Sequence, residues 1–131
     1  MHDALERFIQ EHQKNQEKSQ SFVSYLYTLM DKYHITNPSE IYHKVNISRQ
    51  LWSSTISEKS SPSLNVCIKI VLGMHLTNHE CKYLLKKAGY TLSSANRFAL
   101  IIRYAIEHQI YDIHEVNELL MEHGCEDSVL I

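Results

Sequence analysis

Three groups of residues in this 131-residue chain have types and spacings that could do chemistry. His75, His79 and Cys81 stand within seven residues in HLTNHEC, and Cys67 lies one predicted helix earlier. Imidazole and thiolate are zinc ligands, but a structural site needs four of them in a closed, paired spacing. This set crosses a helix break at Thr77-Asn78, so the spacing implies no metal and leaves Cys67 and Cys81 as small apolar core residues. His123 and Cys125, with His108 and His114, are equally loose. Catalytic signatures are missing: there is no Gly-rich phosphate loop, no nucleophile elbow and no carboxylate pair in an apolar stretch. Asp112, Glu115, Glu118 and Glu122 spread over the outer faces of one predicted helix. The expectation is no enzyme and no cofactor. The third group is ISRQLWSST, residues 47–55. Its Ser48, Arg49, Gln50, Ser53 and Ser54 line a short helix with donors and acceptors, suited either to base edges or to solvent.

The elements that must carry these residues are helices. Three Gly and two Pro in the whole chain are too few for a turn-rich β fold. Residues 1–20 read as a polar arm or loose helix whose apolar stripe, Ala4, Leu5, Phe8 and Ile9, stops after two turns. From Ser21, a candidate cap, Phe22, Leu26, Leu29 and Tyr33 recur at helical spacing. Asn37 or Ser39 caps a short second helix ending near Val45, with Ile41 and Val45 inward. Ser48 caps a third, with Leu51, Trp52 and Ile56 inward. After Pro62, LNVCIKIVLGMHL is apolar nearly all round, which predicts the centre of the core. A helix over 77–88 follows, stopped by Gly89. Two more over about 93–124, with Phe98, Ile101, Ile102, Ala105 and Ile106, then Ile113, Val116 and Leu120 inward, complete the set before a short tail, CEDSVLI. The predicted fold is an all-α bundle of six to seven helices over residues 21–131.

Charge is uneven along the chain. Residues 1–20 carry −1, residues 21–110 carry +5 (ten Lys and Arg against five acids) and residues 111–131 carry −6 (six acids and no Lys or Arg). A basic body with an acidic end would meet a polyanion with its body alone. Three widely spaced cysteines form no disulfide framework and suit a reducing cytoplasm. No stretch of about 18 apolar residues predicts a membrane span, and the N-terminus lacks the layout of a signal peptide.

Residues 21 to about 77 resemble the Cro/C1-type, lambda-repressor-like helix-turn-helix family. The matching features are an opening helix, SFVSYLYTLMDKYHI, then the bihelical unit PSEIYHKVNISRQLWSSTI, a break ending in Pro62, and the apolar helix after it. The remainder, LLKKAGYTLSSANRFALIIRYAIEHQIYDIHEVNELLMEHG, is similar to the tail of a bacterial version of this module. Ile47 plugs the turn. Two positions depart from the family pattern: Tyr42 stands where a small residue is usual and would open the interhelical angle, and Asn46 stands where Gly is usual but tolerates a left-handed backbone.

The resemblance implies a function in double-stranded DNA binding by a small bacterial or phage regulator. The helix opened by Ser48 would lie in the major groove with its N-terminal residues at base edges. Arg49 would then meet guanine and Gln50 adenine, with Ser48, Ser53 and Ser54 fitting against the bases. Ser39, Lys44 and Lys59 would contact phosphates. Two copies would read two half-sites, making a homodimer. The alternative is a protein-interaction module on the same fold, either an adaptor or a phage-encoded inhibitor of a bacterial nuclease such as an anti-CRISPR. The acidic helix over 111–124 and the apolar tail Val129-Leu130-Ile131 would then be its interface. The low charge of residues 38–60, only +1, suits that alternative.

Overall fold

Six of the helices start at a side chain that accepts a hydrogen bond from the first turn's backbone, and these caps set the architecture. The computed structural model describes residues 3–10, 21–58 and 61–131. Among them every regular element is helical and none is a strand. The order is α1 (residues 3–10), α2 (Phe22–Lys32), α3 (Ser39–Tyr42), α4 (Arg49–Ile56), α5 (Leu64–Met74), α6 (Asn78–Lys87), α7 (Arg97–Glu107) and α8 (Ile113–Glu122). A 3-10 turn, Glu126–Ser128, follows. Ser21, Ser48, Ser63, Thr77, Asn96 and Asp112 cap α2, α4, α5, α6, α7 and α8 in turn. Each cap satisfies a backbone N–H that the helix itself leaves unpaired.

The all-α fold and its seven helices after residue 21 match the expectation. α5 is the centre of the core: Val66 through Met74 are all buried. α3 lies against it at Gly73, where an added Cβ would come within 3.1 Å of both the Ile41 side chain and the Ile41 carbonyl oxygen. α6 packs beside α5, and α2 packs on α6. The hairpin of α7 and α8 closes the other end with Ile102, Ala105, Ile106, Ile113, Val116 and Leu120. The tail returns onto this body. Leu130 is buried, and Asn117 holds it by two hydrogen bonds: its amide nitrogen donates to the Leu130 carbonyl at 2.8 Å and its oxygen accepts from the Leu130 N–H at 2.6 Å.

Several details differ from the sequence reading. α3 has only four residues, because His43 to Asn46 already turn. Leu51 does not face in and is 42% exposed, while Trp52 and Thr55 are buried and Ile56 is half-buried. At 100° per residue the buried arc of α4 centres between Trp52 and Thr55 and leaves Leu51 at its edge. Thr55 can be buried because its hydroxyl donates to the Leu51 carbonyl at 2.8 Å. α7 starts at Arg97, with Asn96 as its cap, so Ser93 to Asn96 form a loop. Phe98 and Ile101 are half-buried. Residues 3–10 are helical, with every side chain exposed.

Candidate nucleic-acid interface

α3, the turn and α4 form the unit whose outer face carries the residues of interest. Asn37 organises its start: its side-chain oxygen accepts from the Ser39 N–H at 3.1 Å and the Ser39 hydroxyl at 2.8 Å. The turn closes when the Ile47 N–H donates to the Tyr42 carbonyl at 3.0 Å. Asn46 supplies the left-handed residue this closure needs, at φ 57°. Val45 and Ile47 are buried and plug the angle. Tyr42, the last residue of α3, faces α4. It is buried between them with its ring 5.6 Å from that of Trp52, tilted by 36°. An aromatic pair thus fills the space that a small residue would close by direct helix contact. The Trp52 indole N–H is buried with no acceptor among the described residues.

This packing leaves the opposite side of α4 bare. Arg49, Gln50 and Ser53 are exposed and Ser54 is half-buried. Among the described residues the one ion pair is Lys32 with Glu80, so the Arg49 guanidinium has no carboxylate within 4.0 Å. The Ser48 hydroxyl oxygen is engaged as the cap of α4, accepting from the Leu51 N–H at 3.1 Å. The Ser39 hydroxyl is already donated to Asn37. Lys44 is exposed on the turn, while Lys59 lies outside the described residues. Lys44 and Arg49 are balanced by Glu40 and Glu58, so this unit has almost no net charge.

Beside the turn is a groove of about 540 Å³ that Lys44, His75 and Tyr111 help to line. His75 closes α5 with a left-handed backbone and stacks on the Tyr111 ring at 4.4 Å. Burial, and then the nearby Lys44 ammonium, lower the His75 pKa. Tyr111 in turn donates its hydroxyl to the Leu76 carbonyl at 3.0 Å.

Two polar groups escaped the sequence reading. Glu80 is buried at the start of α6 and accepts from Lys32 Nζ at 2.8 Å, the Tyr33 hydroxyl at 2.6 Å and the Thr77 N–H at 3.0 Å. Burial pushes its carboxyl up, but the hydrogen bonds from Lys32, Tyr33 and Thr77 outweigh it and hold the carboxyl below its ordinary value. The Thr-x-x-Glu spacing of a capping box was the available signal. Lys69 is only 3% exposed. Its ammonium donates to the Asn46 carbonyl at 3.4 Å, and also to the Ile131 carbonyl, so one buried cation ties the turn before α4 to the tail. Burial lowers its pKa.

The metal-type residues do not converge. Burial pushes the Cys67 and Cys81 thiols up to about 12, which keeps them protonated and apolar in behaviour. His75 lies against Tyr111 and His79 near Tyr83. Among the described residues no three His, Cys, Asp or Glu side chains group closely enough to hold a metal ion. Nor is any described helix long and apolar enough to cross a membrane. Comparison with protein-family models, with curated proteins and with solved structures gives no match.

Proposed function

We propose that this protein is a sequence-specific DNA-binding regulator, cytoplasmic and of bacterial or phage type, that lays α4 in the major groove of duplex DNA. The observation that carries this is the unburied side of α4: Arg49, Gln50 and Ser53 stand exposed, and Arg49 has no carboxylate partner among the described residues. A guanidinium and a carboxamide at a helix start match the paired donor and acceptor edges of guanine and adenine. Ser48, Ser53 and Ser54 are short enough to let the backbone approach. Lys44 would fix the phosphate register, with Lys59 as a further phosphate contact; Ser39, whose N–H and hydroxyl both go to Asn37, has no donor to offer a phosphate. Two copies of the protein would read two half-sites. Regulation would then follow from occlusion or recruitment at a promoter.

A protein-binding role is the second reading, and one observation favours it. α7 and α8 leave an open groove of about 660 Å³ lined in part by Leu100, Ile101, Tyr104 and Leu119, with Leu100 and Tyr104 about half exposed. The acids Glu115, Glu118 and Glu122 lie exposed on α8. Equilibrium binding to a labelled duplex separates the two functions. For a DNA reader, Arg49→Ala loses about 1–3 kcal/mol of specific affinity. Equal binding by parent and variant removes Arg49 from the reading role.

A further inference from the structure

The unit that would enter the groove has too little charge for the task. Its described cations, Lys44 and Arg49, are matched by Glu40 and Glu58, whereas affinity for duplex DNA comes largely from phosphates neutralised by Lys and Arg. The surplus positive charge of residues 21–110 must lie elsewhere on the body. Part of it gathers in a cleft of about 540 Å³ between α6 and α7. Lys82 and Lys86 stand there on one face of α6, four residues apart, with Arg103 facing them from α7. Among the described residues of the lining, Glu107 is the only carboxylate. None of these cations has a carboxylate within 4.0 Å, because the one ion pair among the described residues is Lys32 with Glu80.

The cleft is tied to both of its neighbours. At one end the Asn78 side-chain amide donates to the Arg103 carbonyl at 3.4 Å, which fixes α7 against the start of α6. At the other end the Tyr90 hydroxyl donates to the Pro62 carbonyl at 3.0 Å. Pro62 directly precedes Ser63, the cap of α5, so the cleft reaches the start of the central helix. We infer that this cleft is a second DNA contact, a phosphate tract that takes the sugar–phosphate backbone beside the site read by α4. It supplies the charge that α4 itself lacks. The tract carries no base contacts, so it raises affinity for every sequence alike. This rests on α4 being a DNA-reading helix.

The test is the salt dependence of duplex binding, read by fluorescence anisotropy between about 50 and 200 mM salt. Removing one phosphate-binding cation lowers the log–log slope by about 0.9. The triple variant Lys82→Gln, Lys86→Gln, Arg103→Gln should lower it by about 2–3 and weaken specific and non-specific duplexes by the same factor. All three side chains are exposed, and an unchanged melting curve confirms that the fold survives. Glu107→Gln should act in the opposite sense and tighten both duplexes. If the parent binds DNA and the triple variant keeps the parental slope, the phosphate tract is refuted while the α4 reading stands. If the parent binds no duplex at all, both fail.

Discussion

Glu80 offers the most discriminating test of how the body is held together. One of its oxygens accepts from the Tyr33 hydroxyl at 2.6 Å and the Thr77 N–H at 3.0 Å, and the other accepts from Lys32 Nζ at 2.8 Å. Glu80→Gln keeps the first oxygen but turns charge-assisted bonds into neutral ones and sets an amide N–H₂ against an ammonium. Charged hydrogen bonds contribute about 1.5–3 kcal/mol and neutral ones about 0.5–1.5, so Glu80→Gln should cost about 1–3 kcal/mol. Glu80→Ala also removes the capping box and strands the Tyr33 hydroxyl and the Thr77 N–H, for about 2–4 kcal/mol in all. Lys32→Ala should cost less than either, because Lys32 is 60% exposed at its side chain and its ammonium stays largely hydrated. The folded carboxyl titrates below the unfolded one, so on acidification the unfolded chain takes up protons first. The stabilisation is therefore whole above the ordinary carboxylate value of about 4.3 and drains as the pH falls through the lower folded value. Urea unfolding of the parent and all three variants at neutral pH, repeated in steps towards pH 3, measures each quantity. A Lys32→Ala loss as large as that of Glu80→Ala, or a gap between parent and Glu80→Gln that widens on acidification, would refute this account of the network.

Two further predictions concern the supports of α4. Gly73→Ala should destabilise by about 1–2 kcal/mol in urea unfolding, since its new methyl comes within 3.1 Å of the Ile41 carbonyl and side chain and α3 must give by a few tenths of an ångström, a repacking cost of about 1–3 kcal/mol that outweighs the helix-propensity gain of about 1 kcal/mol. A stability equal to the parent would show that α3 is not seated on α5 at this point. Leu130→Ala should cost about 2–5 kcal/mol, because Leu130 is 2% exposed and its backbone is clamped by Asn117. A parental melting curve for that variant would mean that the tail is not part of the core.

The helices were legible because their signals are local. Caps at Ser21 and Ser48 and the stop at Gly89 act within a few residues, and the apolar run after Pro62 has no exposed solution but the centre of a core. Helix α4 shows where locality ends. Its eight residues offer Leu51, Trp52, Thr55 and Ile56, and hydropathy prefers Leu51 over Thr55 for the interior. Trp52 packs against the Tyr42 ring at 5.6 Å, a tertiary contact that hydropathy alone does not reveal. Lys69 was hidden for a similar reason: its charge is acceptable in the core only because Asn46 and Ile131, distant in sequence, bring carbonyls to it. Glu80 was half legible as the fourth residue of a capping box, but Lys32 and Tyr33 lie almost fifty residues earlier. The candidate reading face owes its residues to the sequence and its openness to the fold. The cationic cleft needed the α6 and α7 helices to be set side by side before Lys82, Lys86 and Arg103 became one surface.

Selection of bound duplexes from a random-sequence pool asks whether α4 reads DNA sequence. A reading α4 should enrich a short motif with guanine and adenine at adjacent positions, repeated about one helical turn away if two copies bind, and Arg49→Ala should lose the guanine preference. A pool that stays random after repeated rounds with folded protein would contradict that role for α4.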